Sequence, residues 1–149
     1  MLISGLGHVV GPGEGRIVDL GVTRMRVLAA GQDVTRGAFT LAEFSGGPGP
    51  WTVPHLHRGM EESFFVLDGE FIFTVGDNEI AAGPDGYVLV PRNTRHLLAA
   101  TTHQARCLVL MVPGGQEEMF YELGGLGADS LRDPAVRAEI SARYDSVPV

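Results

Sequence analysis

The apolar runs of this chain are short, and turn-forming residues cut them at nearly regular intervals. That spacing constrains the fold more than any other feature. Runs rich in Val, Phe, Leu and Ile cover Arg16 to Leu20, Met25 to Ala29, Gly37 to Phe44, Glu62 to Leu67, Glu70 to Val75, Asn78 to Ala82, Gly86 to Val90, His96 to Ala100 and Arg106 to Val112. Each is the length of a strand, and Gly, Pro, Asp or Asn punctuates the gaps. Leu67-Asp68-Gly69-Glu70 and Val75-Gly76-Asp77-Asn78 read as tight hairpins. A series of short strands at this spacing predicts a sandwich or barrel of antiparallel sheets. The pattern changes after Val112. Met119, Phe120 and Leu123 stand at helical spacing within Gln116 to Leu123, and Asp133-Pro134 opens a second helix running to about Tyr144. Gly124 to Gly127 reads as a flexible joint between them, and the two helices are expected to cover one end or face of the barrel.

With 149 residues, 44% of them hydrophobic, the chain suits one domain with one core: a barrel over about 15–113 and a helical segment over about 116–145. No apolar run approaches the roughly 20 residues that cross a bilayer. The start, MLISGLGHVV, has neither a basic stretch nor a clean signal-peptide core, so a cytoplasmic protein without a membrane partner is expected. A net charge of -7 with no basic face argues against a nucleic-acid partner. Every basic residue is arginine, which excludes a Schiff-base lysine and a phosphate-loop lysine. Cys107 is the single cysteine, lies in the apolar run RCLVLMV and reads as a buried small hydrophobe.

Chemistry concentrates in the histidines. His55 and His57 alternate within VPHLH, so on extended chain both imidazoles enter the same space. Glu62 follows after a short loop, and His96 arrives later, just before the apolar LLAA. Three imidazoles and a carboxylate form a common ligand set for one divalent transition ion: iron, nickel, manganese, copper or zinc. Glu62 shares its strand face with Phe64 and Val66, whereas the neighbouring Glu61 points away. Phe64, with Phe44 and Met111, is a candidate for the wall of a substrate cavity. His8 and His103 read as surface or satisfied residues, and Arg26 as a solvated or interface charge.

The spacing is that of a pair of known motifs. Gly49 is followed by five residues, His55-Leu56-His57, four residues, Glu62, six residues and Gly69; Gly86 is followed by four residues and Pro91-Arg92-Asn93-Thr94-Arg95-His96. Over roughly Gly15 to Leu123 the chain resembles the cupin superfamily, and within it the small bacterial cupins similar to quercetin 2,3-dioxygenase. The second motif departs from the family at Asn93, where glycine is usual, and at Arg95, where proline is common. Asn tolerates the left-handed backbone, so the turn is expected to survive. The resemblance implies an all-β, antiparallel double-stranded β-helix (a jelly-roll barrel) with short C-terminal helices, usually a homodimer. It also implies that His55, His57, Glu62 and His96 bind the metal.

The activity implied is that of a metal-dependent dioxygenase acting on an enol or phenol small molecule, flavonol- or polyketide-like, with Glu62 taking the substrate's proton. Two other readings fit the same residues. One is a non-redox isomerase, cyclase or lyase using the same Lewis acid and carboxylate. The other is a non-catalytic ligand-binding barrel.

Overall fold

The alternation of buried and exposed side chains along the strands sorts the chain into two facing sheets. The computed structural model describes residues 2–3 and 7–149. Its strands are β1 (Leu2–Ile3), β2 (Gly7–His8), β3 (Ile17–Asp19), β4 (Thr23–Ala29), β5 (Thr40–Gly46), β6 (Gly49–Pro50), β7 (His55–Leu56), β8 (Glu61–Asp68), β9 (Phe71–Val75), β10 (Asn78–Ala82), β11 (Tyr87–Val90), β12 (His96–Ala100), β13 (Ala105–Val112) and β14 (Val147–Pro148). The helices are α1 (Glu117–Gly124), α2 (Ala128–Arg132) and α3 (Pro134–Ala142). One sheet runs in the order β11-β8-β13-β5-β4-β3, the other β10-β9-β12-β7-β14, with β6 also on β12; every pairing is antiparallel.

The core lies between the sheets. On β13, Ala105, Cys107, Val109 and Met111 point inward while Arg106, Leu110 and Val112 point out. Facing them from the other sheet are Phe71, Phe73, Leu98 and Ala100, all buried. Phe64 and Phe73 meet across the gap with ring centroids 5.0 Å apart, in a tilted arrangement that aromatic pairs favour. Truncating either ring to alanine removes burial worth about 3–5 kcal/mol.

Several expectations are corrected. The Asp68-Gly69 turn is no hairpin, because β8 and β9 belong to different sheets and the turn carries the chain from one to the other. Gly69 adopts φ +76 at this corner, and a Cβ there would lie 2.4 Å from the Gln104 carbonyl oxygen; the corner is that tight. The second turn does close a hairpin, pairing Val75 with Asn78 around Gly76 at φ +60. The strand expected from Gly37 begins at Thr40, since Arg36 and Gly37 take positive φ in a turn. The glycine segment after α1 leads into a short helix, α2, and Gly124 packs so closely on β3 that a Cβ would meet Val18 at 2.3 Å. α3 starts as expected, with Asp133 accepting from the Ala135 N–H and Pro134 in the first turn. Among the described residues no helix is long and apolar enough to cross a membrane.

Candidate metal centre

The inward rows of the two sheets end in polar residues at the same end of the barrel. On β12 the row Ala100, Leu98 finishes at His96, which pairs directly with His55 of β7. Residues opposite each other on antiparallel strands have side chains in contact, and these two rings have centroids 4.2 Å apart. On β8 the row Val66, Phe64 finishes at Glu62, which lies between Val90 and Met111. His57 follows β7, with its ring 4.9 Å from that of His55 and 5.2 Å from that of His96. All four side chains are buried, and one nitrogen or oxygen from each falls within 4.8 Å of the others.

The outer nitrogen of each imidazole is fixed. Nδ1 of His55 lies 2.7 Å from the Val53 carbonyl, that of His57 meets the Asp145 carbonyl, and that of His96 is 2.9 Å from the Thr94 carbonyl. A carbonyl only accepts, so each Nδ1 carries the proton and each Nε2 presents a lone pair to the centre. Backbone partners of this kind are what orient metal-binding imidazoles. His57 Nε2 and His96 Nε2 converge on one oxygen of Glu62, Oε2, at 2.9 and 3.2 Å. Two lone pairs facing a carboxylate repel unless a proton or a metal cation lies among them. The donor set therefore fits a divalent transition ion, whose bonds to such atoms are about 2.0–2.2 Å long.

With no cation between them, a proton shared by His57 and Glu62 takes the place of a metal. Burial, helped by the neighbouring His96, pushes His55 down from 6.5 to about 4, so it is neutral at pH 7. Burial alone would depress His57, but the hydrogen bond and charge of Glu62 outweigh it and hold the imidazole above its usual value. Burial alone would raise Glu62; the hydrogen bonds and charges of His57 and His96 overcome it and keep the carboxyl well below the usual carboxylate range.

The loop that carries the ligands is tied down by the end of the chain. The Asp145 carboxylate accepts from the backbone N–H groups of Arg58 and Gly59 at 2.8 and 2.7 Å, and β14 pairs with β7. Asn93 sits at φ +59, and its N–H donates to the His57 carbonyl at 2.7 Å. Glu61 points outward to Arg92, at 2.9 Å.

His55, His57 and Glu62 line a largely apolar cavity of about 500 Å³, and so do Phe44, Phe64 and Met111. Cys107 also lines it, with its thiol pushed up to about 12, chiefly by burial, and so inert as a nucleophile near neutral pH. Reading the sequence did not assign the rest of the wall. Trp51 contributes to it while its Nε1–H donates to the Gly47 carbonyl, and Gln116, Phe120, Arg132 and Arg137 come from the helical tail. No local pattern marks these residues, because only the folding-back of the tail brings them to the cavity. His8 and His103 are not part of the cluster, and Arg26 pairs with Glu43 at 3.0 Å.

Known proteins resemble the chain in sequence and in fold. Residues 43–113 match the family model described as a cupin domain. The quercetin 2,3-dioxygenase of Bacillus subtilis is 32% identical over 117 residues, which is 78% of this chain and 34% of that protein, so the chain spans about a third of the relative's length. Among solved structures, KdgF from Halomonas sp. superposes with a TM-score of 0.66 at 16% identity, over 75% of this chain and 98% of that one. The nucleoside dehydratase Pac13 of Streptomyces gives 0.61 at 14% identity, over 74% and 86%. With both motifs inside the matched segment, and the jelly-roll barrel built around them, the chain belongs to the cupin superfamily.

Proposed function

We propose that the chain is a metal-dependent dioxygenase acting on an enol or phenol small molecule. The observation that carries this reading is that His55, His57 and Glu62 of the three-histidine, one-glutamate cluster line a mostly apolar cavity large enough for a small aromatic compound. Held by His55, His57, Glu62 and His96, a divalent transition ion would supply Lewis-acid activation of the substrate oxygen and a redox partner for dioxygen. The protein's own groups do the rest. Glu62 Oε2 is engaged by two imidazoles, while Oε1 has no hydrogen-bond partner among the described residues. We assign Oε1 as the acceptor of the substrate's hydroxyl proton. Phe44, Phe64 and Met111 flank the ring and exclude bulk water from the charge that forms. Similarity to the Bacillus subtilis enzyme supports this chemistry.

We further propose a homodimer joined through the outer face of the sheet that contains β11, β8 and β13. Tyr87, Leu89, Phe65, Leu110 and Val112 are exposed there on neighbouring strands β11, β8 and β13. Ion pairs of both signs flank the patch, Arg26–Glu43 on one side and Arg92–Glu61 on the other, so a two-fold axis can match the face with itself.

Oxygen dependence tests the activity. With metal-loaded protein and a flavonol or related enol, an oxygen electrode should record uptake that tracks substrate loss. Turnover that continues undiminished without oxygen would move the chain to the non-redox reading, in which the same carboxylate and imidazoles isomerise, cyclise or cleave the substrate.

A further inference from the structure

The cavity is asymmetric in charge. Among the described residues Glu62 is the one carboxylate in its wall, and it is buried among the imidazoles. The wall built by α2 and α3 carries two guanidinium groups, Arg132 and Arg137. Arg132 is exposed, and its guanidinium has no hydrogen-bond or ion-pair partner among the described residues. Arg137 donates only from Nη1, to the Leu131 carbonyl at 3.3 Å, and faces no carboxylate among the described residues. Elsewhere Arg26, Arg92, Arg106 and Arg143 each lie against a glutamate and Arg16 lies over the Tyr121 ring, while Arg24, Arg36, Arg58 and Arg95 also have no ion pair among the described residues; what sets Arg132 and Arg137 apart is their place in the cavity wall. The rest of the cavity wall is mostly rings and aliphatic groups, among them Phe44 and Phe120 in edge contact at 5.3 Å.

Guanidinium groups without a carboxylate partner in the wall of a mostly apolar cavity have a chemical preference. Their planar N–H forks match a carboxylate, and a neutral ligand that covered them would leave those donors unsatisfied. We propose that the cavity selects an acid: a planar enol or phenol whose reacting hydroxyl lies at Glu62 and whose far end carries a carboxylate held by Arg132 and Arg137. This rests on the reading of the cavity as the substrate site and names the class of substrate. Both arginines lie beyond the segment 43–113 that matches the family model. Selectivity therefore resides in the tail, while the motifs hold the reacting end.

Calorimetric titration with p-coumarate and its methyl ester separates the acid from an otherwise similar neutral phenol. The titrations use the wild type, Arg132→Gln, Arg132→Lys and Arg132→Gln/Arg137→Gln, each metal-loaded and after chelation. Elemental analysis of the same samples reports on the metal site independently. The wild type should bind the acid at least about tenfold more tightly than the ester, in the range of one charge-assisted contact. The double glutamine variant should bring the two ligands within about twofold of each other, Arg132→Gln should lose part of the preference, and Arg132→Lys should keep more than Arg132→Gln but less than the wild type, because the charge stays while the planar fork is lost. Equal affinity for acid and ester in the wild type, or no binding of either, would overturn the proposal. So would a preference that survives the double substitution but disappears on chelation. That last result would put the carboxylate on the metal, leaving the metal centre intact and the arginine assignment wrong.

Discussion

His55 shows how much a single buried imidazole can report. Its folded value of about 4 lies below the ordinary 6.5, so between these limits the unfolded chain binds a proton that the folded chain refuses. Its contribution to stability is therefore complete above pH 6.5 and is lost as pH falls toward 4. His57 works in the opposite sense: its raised value favours the fold below 6.5 and loses that contribution as pH rises. Glu62, held low, contributes above the ordinary carboxylate range and loses this only in stronger acid. For chelated protein, urea unfolding at pH 7 and pH 5 isolates the His55 part as the difference between wild type and His55→Gln. The wild type should lose about 2 kcal/mol more than the variant across that interval. An identical pH dependence in both proteins would mean that His55 is not buried as described. The identity of the clustered residues was legible from spacing and strand alternation: His55 and His57 two apart, Glu62 in phase with Phe64 and Val66. The partners of the Nδ1 atoms were not, because the Val53, Thr94 and Asp145 carbonyls are backbone groups that no side-chain pattern encodes.

At the scale of elements, the least predictable pieces position the centre. β6, β7 and β14 are two residues each and lie in segments rich in Pro and Gly. Their strand character comes from partners, not from propensity; β7 exists because β12 and β14 flank it. Long strands such as β8 and β13 were readable because alternation over eight residues fixes which row of side chains faces the core. The Asp68-Gly69 turn was misread for the converse reason, since a tight turn looks the same locally whether its strands pair or part. Asp145 links the tail to the ligand loop through two charge-assisted hydrogen bonds. Asp145→Ala should cost about 2–3 kcal/mol in thermal or urea unfolding of the chelated protein. It should also weaken metal binding in a competition titration, because the carbonyl that orients His57 belongs to the same residue. Unchanged metal affinity in a destabilised variant would confine Asp145 to a structural role.

At the scale of the molecule, one end of a jelly-roll barrel gathers the ligands, the space beside them forms the cavity, and the helical tail completes its wall. The barrel was legible from turn spacing and the motif pair; the tail's contribution to the cavity was not, since it depends on how α1, α2 and α3 return across the open side. In the proposed homodimer the outer sheet face is the paired surface. Leu89 is 51% exposed within the apolar patch, on the edge strand β11. Leu89→Asp should convert a dimer to a monomer of unchanged circular dichroism in light scattering coupled to gel filtration. A wild type that is already monomeric at micromolar concentration would rule out the paired face.

The most direct test of the whole account is elemental analysis of the untagged, natively purified protein, repeated for His57→Ala and His96→Ala. The expected result is close to one divalent transition ion per wild-type chain and a large loss in both variants, which should remain folded. A well-folded wild type that takes up no such ion, even when each is supplied in excess, would contradict the central claim that these four side chains form a metal centre.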